Sequence, residues 1–255
     1  MNIARAVGRT TIDFLRAAGG LAIFAGRGVG AVFSPPFFPR QLRRQAWMIG
    51  YHSLPVVGLT AVFTGAALAP NIYTGGGRFH AEQIMPQIVA LGITRELGPV
   101  LAALMLAGRV SAAIAAEIGA MRATEQIDAL QTLAVDPYRY LIAPRLLAAV
   151  LTLPLLTVVA DIIGVAGGWL VATASLNFNS SVYIRNTWGF LQSWDITSGL
   201  IKAAVFGFIV ALMGCYHGFN AKGGARGVGQ ATTNAVVSAA ILIFFSDYVL
   251  TSFLR

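Results

Sequence analysis

Two adjacent ionisable residues, Arg95 and Glu96, stand inside a long hydrophobic stretch and are followed by Leu97, Gly98 and Pro99. Charges at hydrocarbon depth are costly enough to mark function by default. Neighbours on a helix point about 100° apart, so these two are not expected to pair with each other, and each needs a partner elsewhere. The functional reading is a cavity where Arg95 attracts an anionic headgroup and Glu96 supplies polar or proton-linked contacts. The structural reading is an ion-pair network at a helix entrance. Asp161 and Asp247 are isolated acids of similar kind. Asp161 lies well inside a later apolar run, where an Arg would balance it, and Asp247 lies near enough to an outer end to be hydrated.

A second constellation follows. Ala120, Ala123, Ile127, Leu130 and Ala134 fall on one side of a helix, and Glu117, Arg122, Glu125 and Asp128 on the other. A short charged helix at a membrane surface is a docking element for a soluble partner. Its plainer reading is a solvated helix whose Arg122 and Glu125 pair at i,i+3. Just upstream, Ala103, Ala107, Ser111, Ala115 and Gly119 recur every fourth residue. Small residues in register let helices approach closely, either within one bundle or across a homodimer seam. Periodicity does not separate the two.

Other chemistries lack their motifs. There is no G-x-x-x-x-G-K-[ST] phosphate loop, no H-E-x-x-H and no G-x-S-x-G elbow. His52, His80 and His217 are far apart in sequence and the single cysteine, Cys215, sits in an apolar run, so no catalytic residue and no metal site is expected. The remaining enzymatic alternative is a lipid-modifying protein using Glu96, Asp161 or Asp247 as acid or base.

These residues must be carried by membrane-spanning elements. Of 255 residues, 56% are hydrophobic and only 11% charged, against about 25% charged in a typical soluble domain. At about 20 residues per crossing, five spans emerge, near 47–69, 85–116, 146–172, 198–218 and 231–254. Pro70-Asn71 is expected to end the first, and Pro99 to bend or break the second. Residues 177–195, rich in Asn and Trp, read as a loop at the interface. The net charge of +8 suits anionic lipid headgroups rather than nucleic acid.

Residues 1–45 form a separate surface segment. Arg5, Arg9, Arg16 and Arg27 share one side of a helical wheel, and Phe14, Ala18, Leu21 and Ala25 the other. A signal peptide fits less well, because its apolar run is short and Arg27 follows at once. Twelve basic residues flank one side of the spans, and only Arg78, Arg185, Lys202 and Arg255 flank the other. This bias predicts the N-terminus inside and the C-terminus outside.

Several motifs carry a specific resemblance: Arg95-Glu96-Leu97-Gly98-Pro99, Ala107-Gly108-Arg109, Ala116-Glu117-Ile118-Gly119, Met121-Arg122-Ala123-Thr124-Glu125-Gln126, Val135-Asp136-Pro137 and Gly229-Gln230-Ala231-Thr232-Thr233. From about residue 45 onward the chain resembles the MlaE/YrbE-type permeases of intermembrane phospholipid transporters. The resemblance implies an all-α membrane protein: an N-terminal interfacial amphipathic helix, a permease domain over 46–255 with five transmembrane helices, and a cytoplasmic coupling helix between spans 2 and 3. It implies a homodimer in the bacterial inner membrane, bound to two copies of a cytoplasmic ATPase that holds ATP and Mg, since this chain carries no cofactor. A periplasmic MCE-domain substrate-binding protein and, in many systems, a STAS-domain protein complete the assembly. The family's coupling helix maps to about Glu117–Leu130, with Glu117, Met121, Arg122, Glu125 and Asp128 as coupling candidates. Its lipid cavity maps to Arg95 and Glu96, with Leu97 and Pro99 beside them. A non-transporting scaffold for an ATPase and an MCE protein is the alternative within this resemblance.

Overall fold

The computed structural model describes residues 3–76 and 84–254, with the side chains of 3–10 and 14 outside the description. The expectations placed on Arg78, His80 and Arg255, and on the side chains of Arg5, Arg9 and Phe14, lie outside it. Among the described residues the chain is helical apart from short connectors, with no strand. Helix α1 (Ile3–Phe33) leads through a bend into α2 (Pro39–Gly50), which continues through a tight turn into α3 (Leu54–Gly76). Helices α4 (Met85–Gly92), α5 (Gly98–Leu106) and α6 (Ala112–Ala123) form one continuous rod, joined by widened π turns at Ile93–Leu97 and Ala107–Ser111. Then come α7 (Gln126–Thr132), α8 (Ala143–Ser175), α9 (Ser180–Phe190), α10 (Ser193–Phe219) and α11 (Gly224–Phe253).

Five stretches are long and apolar enough to cross a bilayer: Pro39–Gly75, Met85–Ala123, Tyr138–Ser175, Ser193–Phe219 and Gly224–Phe253. These are the five expected spans, each extended beyond its apolar run. Pro70 does not end the first. The helix runs through it to Gly76, and the Thr74 hydroxyl donates to the Pro70 carbonyl; membrane helices tolerate such a proline because side chains and local adjustment satisfy the freed backbone groups. Pro99 does not break the second span either. It occupies the first turn of α5, where its missing N–H costs least, and the irregularity is taken up by the π turns on either side. The interface loop also contains a helix: the Asn179 side chain caps α9 by accepting from the Ser181 and Val182 amides at 3.0 and 3.3 Å.

Helix α8 is the hub, packing against α2, α3, α5 and α10. Hydrophobic side chains gain little from leaving lipid, so close backbone approach has to hold the bundle together. A Cβ at Gly65 would overlap the Gly164 carbonyl oxygen, and one at Gly207 would sit 2.5 Å from that of Ala149. The small-residue stripe answers the same need within the chain. Ala103, Ala107, Ser111 and Ala115 are all buried, with Gly214 and Gly218 of α10 facing the Ser111 and Ala115 carbonyls, and Gly119 lies beside Val228 of α11. That stripe is an intrachain seam.

Helix α1 joins through its second half. Phe24 is buried in an aromatic cluster, with ring centroids 5.4 Å from Tyr138, 5.5 Å from Tyr216 and 5.8 Å from Phe219.

Gly65→Ala should therefore force α3 from α8 and lower stability by about 1–3 kcal/mol. Gly26→Ala, where a Cβ meets nothing within 4 Å, should be neutral. Thermal unfolding in detergent compares them, and equal melting temperatures would contradict the close-approach account.

Candidate functional site

The first π turn sets the site. Residues in such a turn are offset from the regular ladder, and π turns recur at functional positions. Here the turn presents Arg95 and Glu96 to different partners, as the helical offset requires. Glu96 accepts from the Lys202 ammonium at 2.7 Å, and Thr251 donates to it at 3.3 Å. Arg95 lies 3.7 Å from Asp195 and donates to the Leu254 carbonyl at 3.4 Å. Lys202 also donates to the Arg95 carbonyl at 3.1 Å and to Thr251 at 2.7 Å, and pairs with Asp247 at 3.1 Å.

The cluster thus joins three elements: the turn between α4 and α5, helix α10 with Asp195 and Lys202, and helix α11 with Asp247 and Thr251. Asp195 is itself fixed, because it accepts the Gln192 amide at 3.0 Å at the start of α10. Burial grades across the cluster. The Lys202 side chain is 2% exposed, Asp247 21%, Arg95 30% and Glu96 40%. The ammonium is therefore locked, while Arg95 and Glu96 face outward.

Several expectations change. Lys202, counted among the outer basic residues, is buried in α10 as the hub of this cluster. Asp247 is no hydrated end group but a partner of Lys202. Among the described residues Asp161 meets no Arg: its Oδ1 is buried without a hydrogen-bond partner there, packed against the space that Gly98 leaves open. Leu97 lines a narrow crevice with Val57, Ala61 and Gly164, and Pro99 is buried against Gly199 of α10. Sequence reasoning missed Lys202, Asp195 and Thr251. One signal for Lys202 was present, since it is one of two lysines and stands among apolar residues.

A second polar region lies at the other end of the rod. The expected single helix over Glu117–Leu130 is split: α6 ends at Ala123, Glu125 adopts a left-handed φ of 58°, and α7 begins at Gln126. Glu117 turns inward to Arg145, which is 3% exposed, at 2.7 Å. Met121 lines a cavity of about 150 Å³ beside this pair, with Arg44 and Tyr140. Arg122 pairs at 2.6 Å with Asp128, not with Glu125. Arg122, Glu125 and Asp128, together with Lys222 and Gly223 of the α10–α11 turn, line an open cleft of about 320 Å³. The coupling candidates therefore divide, with Glu117 and Met121 facing the bundle and the other three facing the cleft.

Five apolar spans, three of them tied by an ionic cluster at Lys202, define a polytopic α-helical membrane protein. The family model described as "Permease MlaE" matches residues 42–253, and the chain belongs to that family. It is 51% identical to a "Probable ABC transporter permease protein" of Rickettsia felis, over 98% of this chain and 97% of that one. It is 37% identical to the "Intermembrane phospholipid transport system permease protein MlaE" of Haemophilus influenzae, over 99% and 97%. A chloroplast protein of Arabidopsis thaliana, "Protein TRIGALACTOSYLDIACYLGLYCEROL 1", is also 37% identical, over 91% of this chain and 66% of its own length.

Lys202→Met should leave the acids of the cluster without their shared cation and cost about 3–5 kcal/mol. The double variant Lys202→Met/Asp247→Asn should recover part of the loss. Melting temperatures of the purified variants test this, and an unchanged value for the single variant would refute a structural role for the ammonium.

Proposed function

We propose that the chain is the permease subunit of an ABC transporter that moves phospholipids between the inner and outer membranes of a bacterium, driven by a separate ATPase. The carrying observation is the ionic cluster at the π turn, set beside an uncovered apolar helix face. On α11, Val237, Ile241, Phe244, Phe245 and Tyr248 form one exposed stripe, from 53% to 77% exposed, on the helix that also contributes Asp247 and Thr251. An apolar stripe of this kind fits a second copy of the chain, and a homodimer joined there would bring two clusters toward one apolar chamber. A phospholipid needs such a site: a few polar groups and otherwise hydrocarbon walls.

Within the cluster, Arg95 is the cation suited to a phosphate. Its contacts to Asp195 and Leu254 are long, at 3.7 and 3.4 Å, whereas Lys202 is saturated by short ones. A guanidinium can exchange Asp195 for two phosphate oxygens in a bidentate contact. Glu96, held on Lys202, faces the same space and would interact with a cationic or hydroxylated headgroup. Leu97 would contribute to the wall, and Pro99 would keep the turn in place.

The cleft lined by Arg122, Glu125 and Asp128 is the proposed dock for one of two cytoplasmic ATPase copies, which bind ATP and Mg. Glu117 and Met121 would transmit its movement into the bundle. This orientation puts the N-terminus in the cytoplasm and the C-terminus in the periplasm. With Lys202 removed from the count of flanking residues, the basic excess on the cytoplasmic side only grows. A periplasmic MCE-domain protein, and in some systems a STAS-domain protein on the ATPase, would complete the assembly; the Haemophilus relative is named as the permease of an intermembrane phospholipid transport system.

Arg95→Ala and Glu96→Ala should each reduce phospholipid captured by photocrosslinking about tenfold, the effect of a lost charged hydrogen bond, while the complex still assembles. Undiminished capture by both would remove the cluster from the lipid path. Asp128→Arg combined with Glu125→Arg should release the ATPase in copurification or abolish lipid-stimulated ATP hydrolysis; retention of both activities would count against the dock.

A further inference from the structure

Helix α2 turns a basic face outward where the first span begins. Arg40, Arg43, Arg44 and Trp47 recur at i, i+3, i+4 and i+7, so they share one stripe, and all four are exposed. The opposite face is anchored, with Gln45 and Ile49 buried. Among the described residues the three guanidinium groups make no hydrogen bond and no ion pair. At the same end of the bundle Arg122, Arg139 and Arg145 each hold an acid, at 2.6, 3.3 and 2.7 Å. Like charges three and four positions apart destabilise a helix, and an anion from outside the chain would relieve that repulsion.

These cations line one side of an open groove of about 920 Å³. Its other walls are aromatic, with Phe37 and Phe38 at the bend between α1 and α2 and Tyr140 from the turn before α8; aspartate and glutamate do not line it. The frame is preformed. Gln41 donates to the Tyr140 hydroxyl at 3.0 Å, Phe38 meets the Tyr140 ring edge-on with centroids 5.2 Å apart, and Arg139 donates to the Pro35 carbonyl. Guanidinium groups take phosphate oxygens in bidentate contacts, and basic recesses at the ends of membrane helices suit lipids with more than one phosphate charge.

The rim distinguishes a lipid phosphate from a free one. Trp47 is 60% exposed and stacks on Tyr51 with centroids 4.5 Å apart, an aromatic pair suited to headgroup depth. Leu59 and Phe63 continue exposed along the same span. From Arg40 to Trp47 the helix rises about 10 Å. Cations, aromatic rings and hydrocarbon therefore follow one another in the order of phosphate, glycerol and acyl chain in a phospholipid. Inorganic phosphate would use only the first of these.

We infer that this groove holds a phospholipid whose headgroup carries two negative charges, with its phosphates on Arg40, Arg43 and Arg44 and its acyl chains running past Trp47 along α3. Through Gln41, Arg44 and Tyr140 the groove adjoins the cavity beside Glu117. It thus lies at the opposite end of the second span from the Arg95 cluster, and it does not require the transport reading.

The test uses the full-length chain in phosphatidylcholine nanodiscs carrying a trace of one diazirine-tailed lipid: diphosphatidylglycerol, phosphatidylglycerol or phosphatidylcholine, which are doubly negative, singly negative and net neutral. Mass spectrometry maps the adducts. Labelling of residues 47–63 by the doubly charged lipid should exceed that by phosphatidylcholine about tenfold, the effect of one charged hydrogen bond, and that by phosphatidylglycerol severalfold. The triple variant Arg40→Gln/Arg43→Gln/Arg44→Gln should bring it to the phosphatidylcholine level with an unaltered gel-filtration profile. Arg16→Gln/Arg27→Gln, which removes exposed cations from α1, should leave it unchanged. Equal labelling by the three lipids, or by the two anionic ones, would overturn the proposal on the unaltered chain without any variant. Full labelling in the triple variant, an equal loss in the α1 variant, or displacement of the lipid by excess inorganic phosphate would do the same. So would crosslinking of an acidic protein surface, in place of lipid, to a photoreactive residue at position 37 in native membranes.

Discussion

One ammonium group ties three of the five spans of this protein together. Lys202 is 2% exposed, yet it reaches Glu96 and the Arg95 carbonyl in the second span and Asp247 and Thr251 in the last. Moving a charge out of water is expensive, and the bundle tolerates it only because two carboxylates, a carbonyl and a hydroxyl surround the ammonium. Those partners come from two helices and the ammonium from a third, so the relative positions of the three are fixed by the requirement to keep one ion satisfied. A hydrophobic contact could not do this, because hydrocarbon is equally content against lipid.

The glycine contacts supply the complementary constraint. Where Gly65 meets Gly164 and Gly207 meets Ala149, backbones touch and no side chain can adjust. Ion pairs hold both ends of the second span, at Lys202 and at Arg145, and steric contact fixes the spacing along α3, α8 and α10. Packing this close is bistable rather than continuously deformable, since a shift must carry a whole helix from one fit to another.

The five spans are legible in the sequence because hydrocarbon imposes a length and a composition that few other constraints can counterfeit. The site is legible in part. Arg95 and Glu96 stand out in an apolar run, but their partners lie a hundred or more residues away, and the apolar setting of Lys202 hints that it is buried without saying what it meets. The break at Glu125 is hidden for another reason: glutamate is a good helix former, and its left-handed φ of 58° is imposed by the turn from α6 to α7. The stripe from Ala103 to Gly119 shows that close packing occurs but not with what, because a neighbouring α10 and a second chain would demand the same small residues.

The rod from Met85 to Ala123 carries both polar regions, with Glu96 and Glu117 separated by about 30 Å of helical rise. A push on its charged end must either displace the whole rod or be absorbed at the π turns, where the ladder is already irregular. The two sides of the ionic cluster would not resist such a displacement equally. The side held by Lys202 has four partners within 3.1 Å and would move as a unit, whereas the contact between Arg95 and Asp195 is long, with the Arg95 side chain 30% exposed. Any rearrangement that spares the buried ammonium must therefore be taken up at Arg95, which makes the most loosely held charge in the cluster the one whose position reports the state of the whole rod.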